Sequence, residues 1–275
     1  MLLCDYHIHT NFSFDADKNS TVDAICQTAI ARGITHIAIT DHLDVNYKYE
    51  YPQIHYDAQG AKKAILEAKE KYKDVLSLSY GIEIGQAHQY PDDTEQILAE
   101  YGFEFIISSL HNIRSMPDFY FYFKNNKDVP REKIDEIYDV CLDEICEGIE
   151  LFGDKVNTIG HISYMHRYLA ECGLTLDFSC HKEKLQRLFS LIIEKGVALE
   201  VNTSTFYKGL GFTMPPRELV EEYYSAGGRL ITLGSDAHTP ENVGRGIAEA
   251  IEMLKEIGFD SVVCMQDGEV KNMKI

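Results

Sequence analysis

The sequence contains no apolar run close to the roughly 20 residues that a membrane-spanning helix needs. Its start, Met1-Leu2-Leu3-Cys4-Asp5, brings a charge at the fifth position, unlike a secretory leader. Seven cysteines are present, an odd number, and none forms a CxxC pair. Cys141 and Cys146 are five apart, which is not a zinc-knuckle spacing. Reduced thiols in a cytoplasmic protein are therefore expected. Positive charge is scarce: Lys+Arg is 26 against 44 Asp+Glu, a formal net charge of −18. Such a chain repels phosphate backbones and anionic lipid, so neither nucleic acid nor membrane is expected as a partner. A glycine-rich phosphate loop, a fixed-period repeat, a low-complexity stretch and an obvious linker are all missing.

What remains is an ordinary globular composition, 45% hydrophobic and 25% charged, over 275 residues. That length suits one α/β barrel as well as it suits two smaller domains. Strand-like β-branched runs at 3–9, 35–40, 75–84, 103–110, 156–161, 197–201 and 229–233 alternate with helix-period segments at 21–32, 56–72, 93–101, 131–152, 181–194, 215–225 and 240–257. Ser20 is placed to cap the first helix, and Gly33, Gly196 and Gly258 sit where helices should stop. Seven such units without a phosphate loop favour an α/β barrel in a single domain over 1–275. Residues 261–273 read instead as a hairpin turning at Asp267-Gly268. Two aromatic-rich stretches, 44–55 and 112–129, follow the second and fourth strands, either packing on the barrel rim or covering a substrate.

The chain has 11 histidines, and most fall at one kind of place. His7 and His9 end the first strand, where positions i and i+2 face one side. Asp41 and His42 follow the second strand, Glu83 ends the third, His111 follows the fourth, His161 ends the fifth, and Asp236 and His238 follow the seventh. In a parallel barrel these strand ends converge on one rim. A crowded set of imidazoles and carboxylates needs bound cations to offset desolvation and repulsion. This donor set suits Zn, Mn or Fe. It exceeds one coordination sphere, so two or three divalent transition metals are expected, with Glu83 bridging two. Asp15 is a further candidate, with Asp17 competing for the same role.

The ordered set HxH, TDH, GIEIG, SSLH, IGH and SDAH, spread over residues 5–238, resembles the PHP (polymerase and histidinol phosphatase) family of metal-dependent phosphoesterases. The resemblance implies a distorted (β/α)7, TIM-like barrel with a trinuclear site. It implies His7, His9, Glu83 and Asp236 at one metal, Glu83, His111 and His161 at a second, and Asp15, His42 and His238 at a third. The carboxylate at Asp15, the chain length and the stretch Leu199-Glu200-Val201-Asn202-Thr203-Ser204 resemble the histidinol-phosphate phosphatase branch.

The chemistry follows from the metals. A metal pair lowers the pKa of a bridging water to supply hydroxide and holds the phosphate in line, so no protein nucleophile is needed. Phosphate recognition on an acidic protein needs local cations, and Arg167, Lys208 and Arg245 are the candidates. Related phosphatases tend to carry arginine near Lys208, and lysine offers only a point charge where arginine offers a bidentate fork. The leading reading is hydrolysis of a small phosphomonoester, L-histidinol phosphate, in histidine biosynthesis. Alternatives are a phosphoesterase for a nucleotide or sugar phosphate, or a non-catalytic module assisting a polymerase. A PHP nuclease would want a basic groove, which the net charge of −18 disfavours.

Overall fold

The computed structural model describes residues 4–266 and 268–275. Its strands are β1 (Cys4–Asp5), β2 (His36–Ile39), β3 (His42–Asp44), β4 (Ser77–Gly85), β5 (Phe105–Ser109), β6 (Thr158–Ile159), β7 (Ala198–Asn202), β8 (Ile231–Gly234), β9 (Ser261–Gln266) and β10 (Glu269–Lys274). Seven of them form a nearly closed parallel barrel in the order β1-β2-β4-β5-β6-β7-β8. The seam between β8 and β1 is closed by Tyr6 N donating to Leu233 O (2.8 Å), Asp236 N to His7 O (2.8 Å) and His9 N to Ala237 O (2.9 Å). The Asp5 carboxylate adds bonds across the same seam, accepting from Ser235 N (2.8 Å) and Ser235 Oγ (2.5 Å).

All seven expected strands are present, each within its expected run or one residue beyond it. β3 was not expected. After Thr40 and Asp41 the chain resumes pairing with the far half of β4, placing His42 opposite Glu83 and Asp44 opposite Gly85. A helix at Tyr164–Glu171 was not expected either. The expected helix at 240–257 is two pieces: a 3-10 turn at Pro240–Asn242, then a helix at Ile247–Ile257. Gly244 and Gly246 lie between them in the left-handed region, which ends the first turn. The first helix, Val22–Ala31, is capped by Thr21, whose side chain accepts from Ala24 N, and not by Ser20. Ser20 is buried and donates instead to His238 O (2.9 Å).

The long helix Arg131–Phe152 shows how the outer layer packs. Ile134, Ile137, Tyr138, Cys141, Leu142, Ile145, Ile149 and Phe152 repeat at helical spacing and are buried in the main core with barrel residues such as Phe105, Ile107 and Leu199. Cys141 and Cys146 belong to this inward face, and all seven cysteines are free thiols. The expected hairpin is β9 paired antiparallel with β10. Gly268 has φ 77°, while Asp267 lies outside the described residues. No helix among the described residues is long and apolar enough to cross a membrane.

Candidate metal centre and substrate cavity

The structure brings His7, His9, Asp15, His42, Glu83, His111, His161, Asp236 and His238 together at the C-terminal ends of the barrel strands. Glu83 stands at the middle, almost fully buried. Its Oε1 lies 3.2 Å from His111 Nε2 and 3.0 Å from His161 Nε2. Its Oε2 lies 3.3 Å from His7 Nε2, 3.6 Å from His9 Nε2 and 3.3 Å from His42 Nδ1. Asp236 Oδ1 closes the second group, 3.3 Å from His9 Nε2 and 3.8 Å from His7 Nε2. Asp15 Oδ2 lies 3.0 Å from His238 Nε2 and 3.7 Å from His42 Nε2. Asp17 is outside the group, its carboxylate accepting from Asn19 N (2.7 Å).

The imidazoles are aimed by bonds to their other nitrogens. His7 Nδ1 donates to Glu200 Oε1 (2.5 Å) and His111 Nδ1 to Asp44 Oδ1 (2.9 Å). His9 Nδ1 donates to Ser13 Oγ (3.2 Å), which donates onward to Asp41 Oδ1 (2.9 Å). His238 Nδ1 donates to Asp236 O (2.9 Å). The Nε2 atoms of these four rings therefore face the centre, while His42 turns Nδ1 to Glu83 and Nε2 to Asp15. Asp41, next to His42 in sequence, does not join the centre; it also accepts from Thr10 N (2.6 Å) and fixes the turn that carries Ser13. Asp236 has φ 52°, a left-handed conformation that aspartate tolerates better than most residues. Its backbone oxygen accepts from Tyr207 OH (2.8 Å).

Sequence reasoning missed Glu200 and Asp44. Glu200 carried one signal, a carboxylate within the buried apolar strand β7, where a charge needs a partner. Asp44 carried none of its own, but the glycines nearby show its footprint. A Cβ on Gly85 would fall 1.6 Å from Asp44 Oδ1, and one on Gly234 would fall 2.6 Å from Glu200 Oε1.

Several buried nitrogens, His7 Nε2, His9 Nε2 and His42 Nδ1, have no hydrogen-bond partner in this centre. Rings also stack on each other, His9 on His238 at 4.2 Å and on His42 at 4.5 Å. Burial and the neighbouring His238 and His42 push His9 down to about 3, so its ring is neutral with a free lone pair. His7 moves the other way. Burial alone would lower it, but Glu200, Glu83 and Asp236 together hold it well above the usual imidazole range. Burial likewise opposes ionisation of Glu83, and His42, His7 and His111 overcome it. Imidazoles crowded around ionised carboxylates, several with unpartnered buried nitrogens, fit divalent transition cations, which would take the place of the protons that the carboxylates hold on rings such as His7, and donor atoms cluster in threes within 4.8 Å of one another.

Above the centre lies a cavity of about 490 Å³, with His42, His111, His161, Asp236 and His238 in its floor. The unexpected helix Tyr164–Glu171 supplies one wall. Tyr164, Arg167, Tyr168 and Glu171 all line the cavity, at i, i+3, i+4 and i+7. That spacing was readable in the sequence. Arg167 is buried between Tyr164 and Tyr168, 4.9 and 4.7 Å from the ring centroids, and its Nη1 lies 3.5 Å from Asp236 Oδ2. Its Nε has no partner. Lys208 also lines the cavity, exposed at its rim. Arg245 does not line the cavity; it is exposed and lies behind Tyr207, 5.8 Å from that ring. The aromatic stretch after β5 divides its labour: Phe119 and Phe123 are buried in the core, while Tyr120 and Phe121 face the cavity and solvent.

Comparison with known proteins assigns the family at this point. The PHP domain matches residues 5–204. The chain belongs to the PHP domain family. Similar PHP proteins include a probable histidinol-phosphatase of Thermotoga maritima, 27% identical over 94% of each chain. The histidinol-phosphatase of Lactococcus lactis subsp. lactis is 26% identical over 98% of this chain and 97% of its own. A crystal structure of histidinol phosphate phosphatase from Lactococcus lactis, complexed with zinc, L-histidinol and phosphate, has the same fold. Its TM-score is 0.80 at 23% identity, covering 98% of both chains.

Proposed function

We propose that this PHP protein hydrolyses a small phosphomonoester, L-histidinol phosphate, to L-histidinol and phosphate. The observation that carries the reading is Glu83, one buried carboxylate whose two oxygens face separate sets of imidazoles beneath a cavity walled by a buried arginine. In this reading His7, His9, Glu83 and Asp236 hold one divalent ion, Glu83, His111 and His161 a second, and Asp15, His42 and His238 a third. Zinc, manganese and iron(II) all suit such ligands. When bound, these cations lower the pKa of water and neutralise phosphate oxygens.

The chain's own residues do the rest. Arg167 stays charged: burial opposes this, but Tyr168, Tyr164 and Asp236 outweigh it. It offers its guanidinium to the phosphate that enters above Asp236. Lys208 supplies a second positive charge from the rim. Recognition of the rest of the substrate falls to Asp118 and Glu171, two carboxylates lining the same cavity, and to the rings of Tyr120, Tyr164 and Tyr168. Carboxylates and aromatic faces suit a substrate whose non-phosphate end is cationic. A cavity of about 490 Å³ suits a small molecule. The names of the curated relatives and the ligands bound in the Lactococcus lactis structure support the same substrate.

Phosphate release from a panel of L-histidinol phosphate, nucleotides and sugar phosphates, with zinc, manganese or iron(II) supplied, tests the proposal. L-histidinol phosphate is expected to give the highest kcat/KM by at least tenfold. Faster turnover of a nucleotide or sugar phosphate would reassign the substrate, and no release from any ester would remove the phosphatase reading.

A further inference from the structure

Glu200 sits in the middle of β7, about 1% exposed, and no lysine or arginine pairs with it among the described residues. A buried carboxylate in that position is costly unless its oxygens are satisfied. Both are, and both partners belong to residues of the centre. Oε1 accepts from His7 Nδ1 (2.5 Å), and Oε2 accepts from the backbone N–H of His161 (2.7 Å). His7 lies beyond β1 and His161 beyond β6, so one side chain reaches across the barrel interior to two separate strand ends. The bond to Nδ1 fixes the tautomer and rotation of His7 and presents Nε2 to Glu83 and Asp236. The bond to His161 N sets where the chain turns after β6, and with it the approach of His161 Nε2 to Glu83 Oε1. The space for this bridge is cut by Gly234, where a Cβ would meet Glu200 Oε1 at 2.6 Å and His7 Cβ at 2.4 Å.

We propose that Glu200 is a positioning residue that holds His7 and His161 in register, so that two neighbouring metal positions share Glu83 at the correct separation. This rests on the metal reading given above. Glu200 lies within 4.8 Å of donor atoms of His7 and His161, but both its oxygens already accept from N–H groups, His7 Nδ1 and His161 N, so in this proposal it aims those residues and is not itself a ligand.

Two substitutions separate geometry from charge. Glu200→Gln keeps the size but has one acceptor oxygen, so its amide nitrogen must face one of the two N–H donors. Glu200→Asp keeps the charge but is one methylene too short to reach both. Zinc affinity is measured on the full chain by competition with a chromophoric chelator, alongside zinc content at saturation and thermal unfolding with and without zinc. The expected result is an unchanged zinc content at saturation with affinity weakened about 10–100-fold in both variants, the range for partners of metal-bound histidines. Loss of a full zinc equivalent in Glu200→Gln would make Glu200 a ligand and overturn the proposal. Wild-type affinity in Glu200→Asp alone would assign the effect to charge, and wild-type affinity in both would leave Glu200 only a packing role; either overturns it. If neither variant folds, the carboxylate serves the barrel and the proposal also falls. Failure of the wild-type chain to bind zinc, manganese or iron(II) would instead remove the metal reading, which distinguishes the two failures.

Discussion

Asp44 and Gly85 face each other across the β3–β4 pair, and the carboxylate of the first fills the space that a side chain on the second would need. Asp44 Oδ1 bonds His111 Nδ1 at 2.9 Å and would lie 1.6 Å from a Cβ on Gly85. The second glycine of GIEIG is thus a spatial requirement of the histidine that follows the next strand, β5. Gly85→Ala should expel Asp44 and release the His111 ring without unfolding the chain. Metal affinity should fall about 10–100-fold, measured by chelator competition. An unchanged affinity would show that Asp44 does not aim His111.

Metal removal should abolish phosphatase activity and lower thermal stability together. The centre packs six imidazoles, several without a partner, so ligands that bind only the folded state should stabilise it. At a thousand times Kd the gain is about 4 kcal/mol for one site. Elemental analysis after reconstitution should find two to three equivalents of transition metal. One or fewer would contradict the shared role given to Glu83.

Arg167→Ala should lower kcat/KM roughly 10–150-fold, since a hydrogen bond to a charged group is worth about 1.5–3 kcal/mol. Metal content should stay the same. Arg167→Lys should recover only part, because the fork is lost. Near-wild-type kinetics for Arg167→Ala would move phosphate binding to Lys208.

Lys208 gives the pH dependence. It is exposed at the cavity rim, where partial desolvation by the surrounding wall and the neighbouring Arg167 push its ammonium down to about 8, against the pull of Asp236. Only the protonated form attracts phosphate. The favourable charge is therefore present below pH 8 and lost as pH rises through it. kcat/KM, which reports the free enzyme, should fall on that alkaline limb. Lys208→Arg should carry the limb to higher pH, and Lys208→Ala should lower the plateau and erase the limb. A limb that stays in place in both variants belongs to another group.

Asp118 caps the helix Phe119–Asn125, accepting from Tyr120 N (2.6 Å), and lines the cavity as well. Asparagine caps equally well, so Asp118→Asn removes charge while keeping the helix. KM for L-histidinol phosphate should rise about tenfold or more, with little change for an uncharged aryl phosphate. Equal losses for both esters would mean that Asp118 shapes the cavity rather than reading the cation.

The barrel and the convergence of its histidines could be read from the sequence because both obey spacing rules. Residues i and i+2 of a strand share a side, so His7 and His9 declare themselves, and strand ends in a parallel barrel meet at one rim. Glu200 and Asp44 obey no such rule: what places them is a nitrogen on a distant strand. Asp41 sits beside His42 in the sequence, yet it turns away to Thr10 and Ser13 while His42 faces the centre. Arg245, the third cation considered for phosphate, is exposed and outside the cavity, whereas Arg167 is buried in its wall. The helix Tyr164–Glu171 was legible in retrospect, hidden because it is short, with Met165 and Leu169 facing the core and tyrosine and arginine facing the cavity.

The seam that closes the barrel has a consequence for synthesis. Asp5 and Ser235, bonded across it, are 230 residues apart in the chain. His7 and His9 leave the ribosome ahead of the rest of the barrel, yet their shared partner Asp236 follows only after all the intervening strands. Until Asp236 emerges, the nascent chain holds an incomplete ring of donors. Such long-range pairing folds slowly, and capture of the full complement of ions becomes a late event that reports a finished barrel.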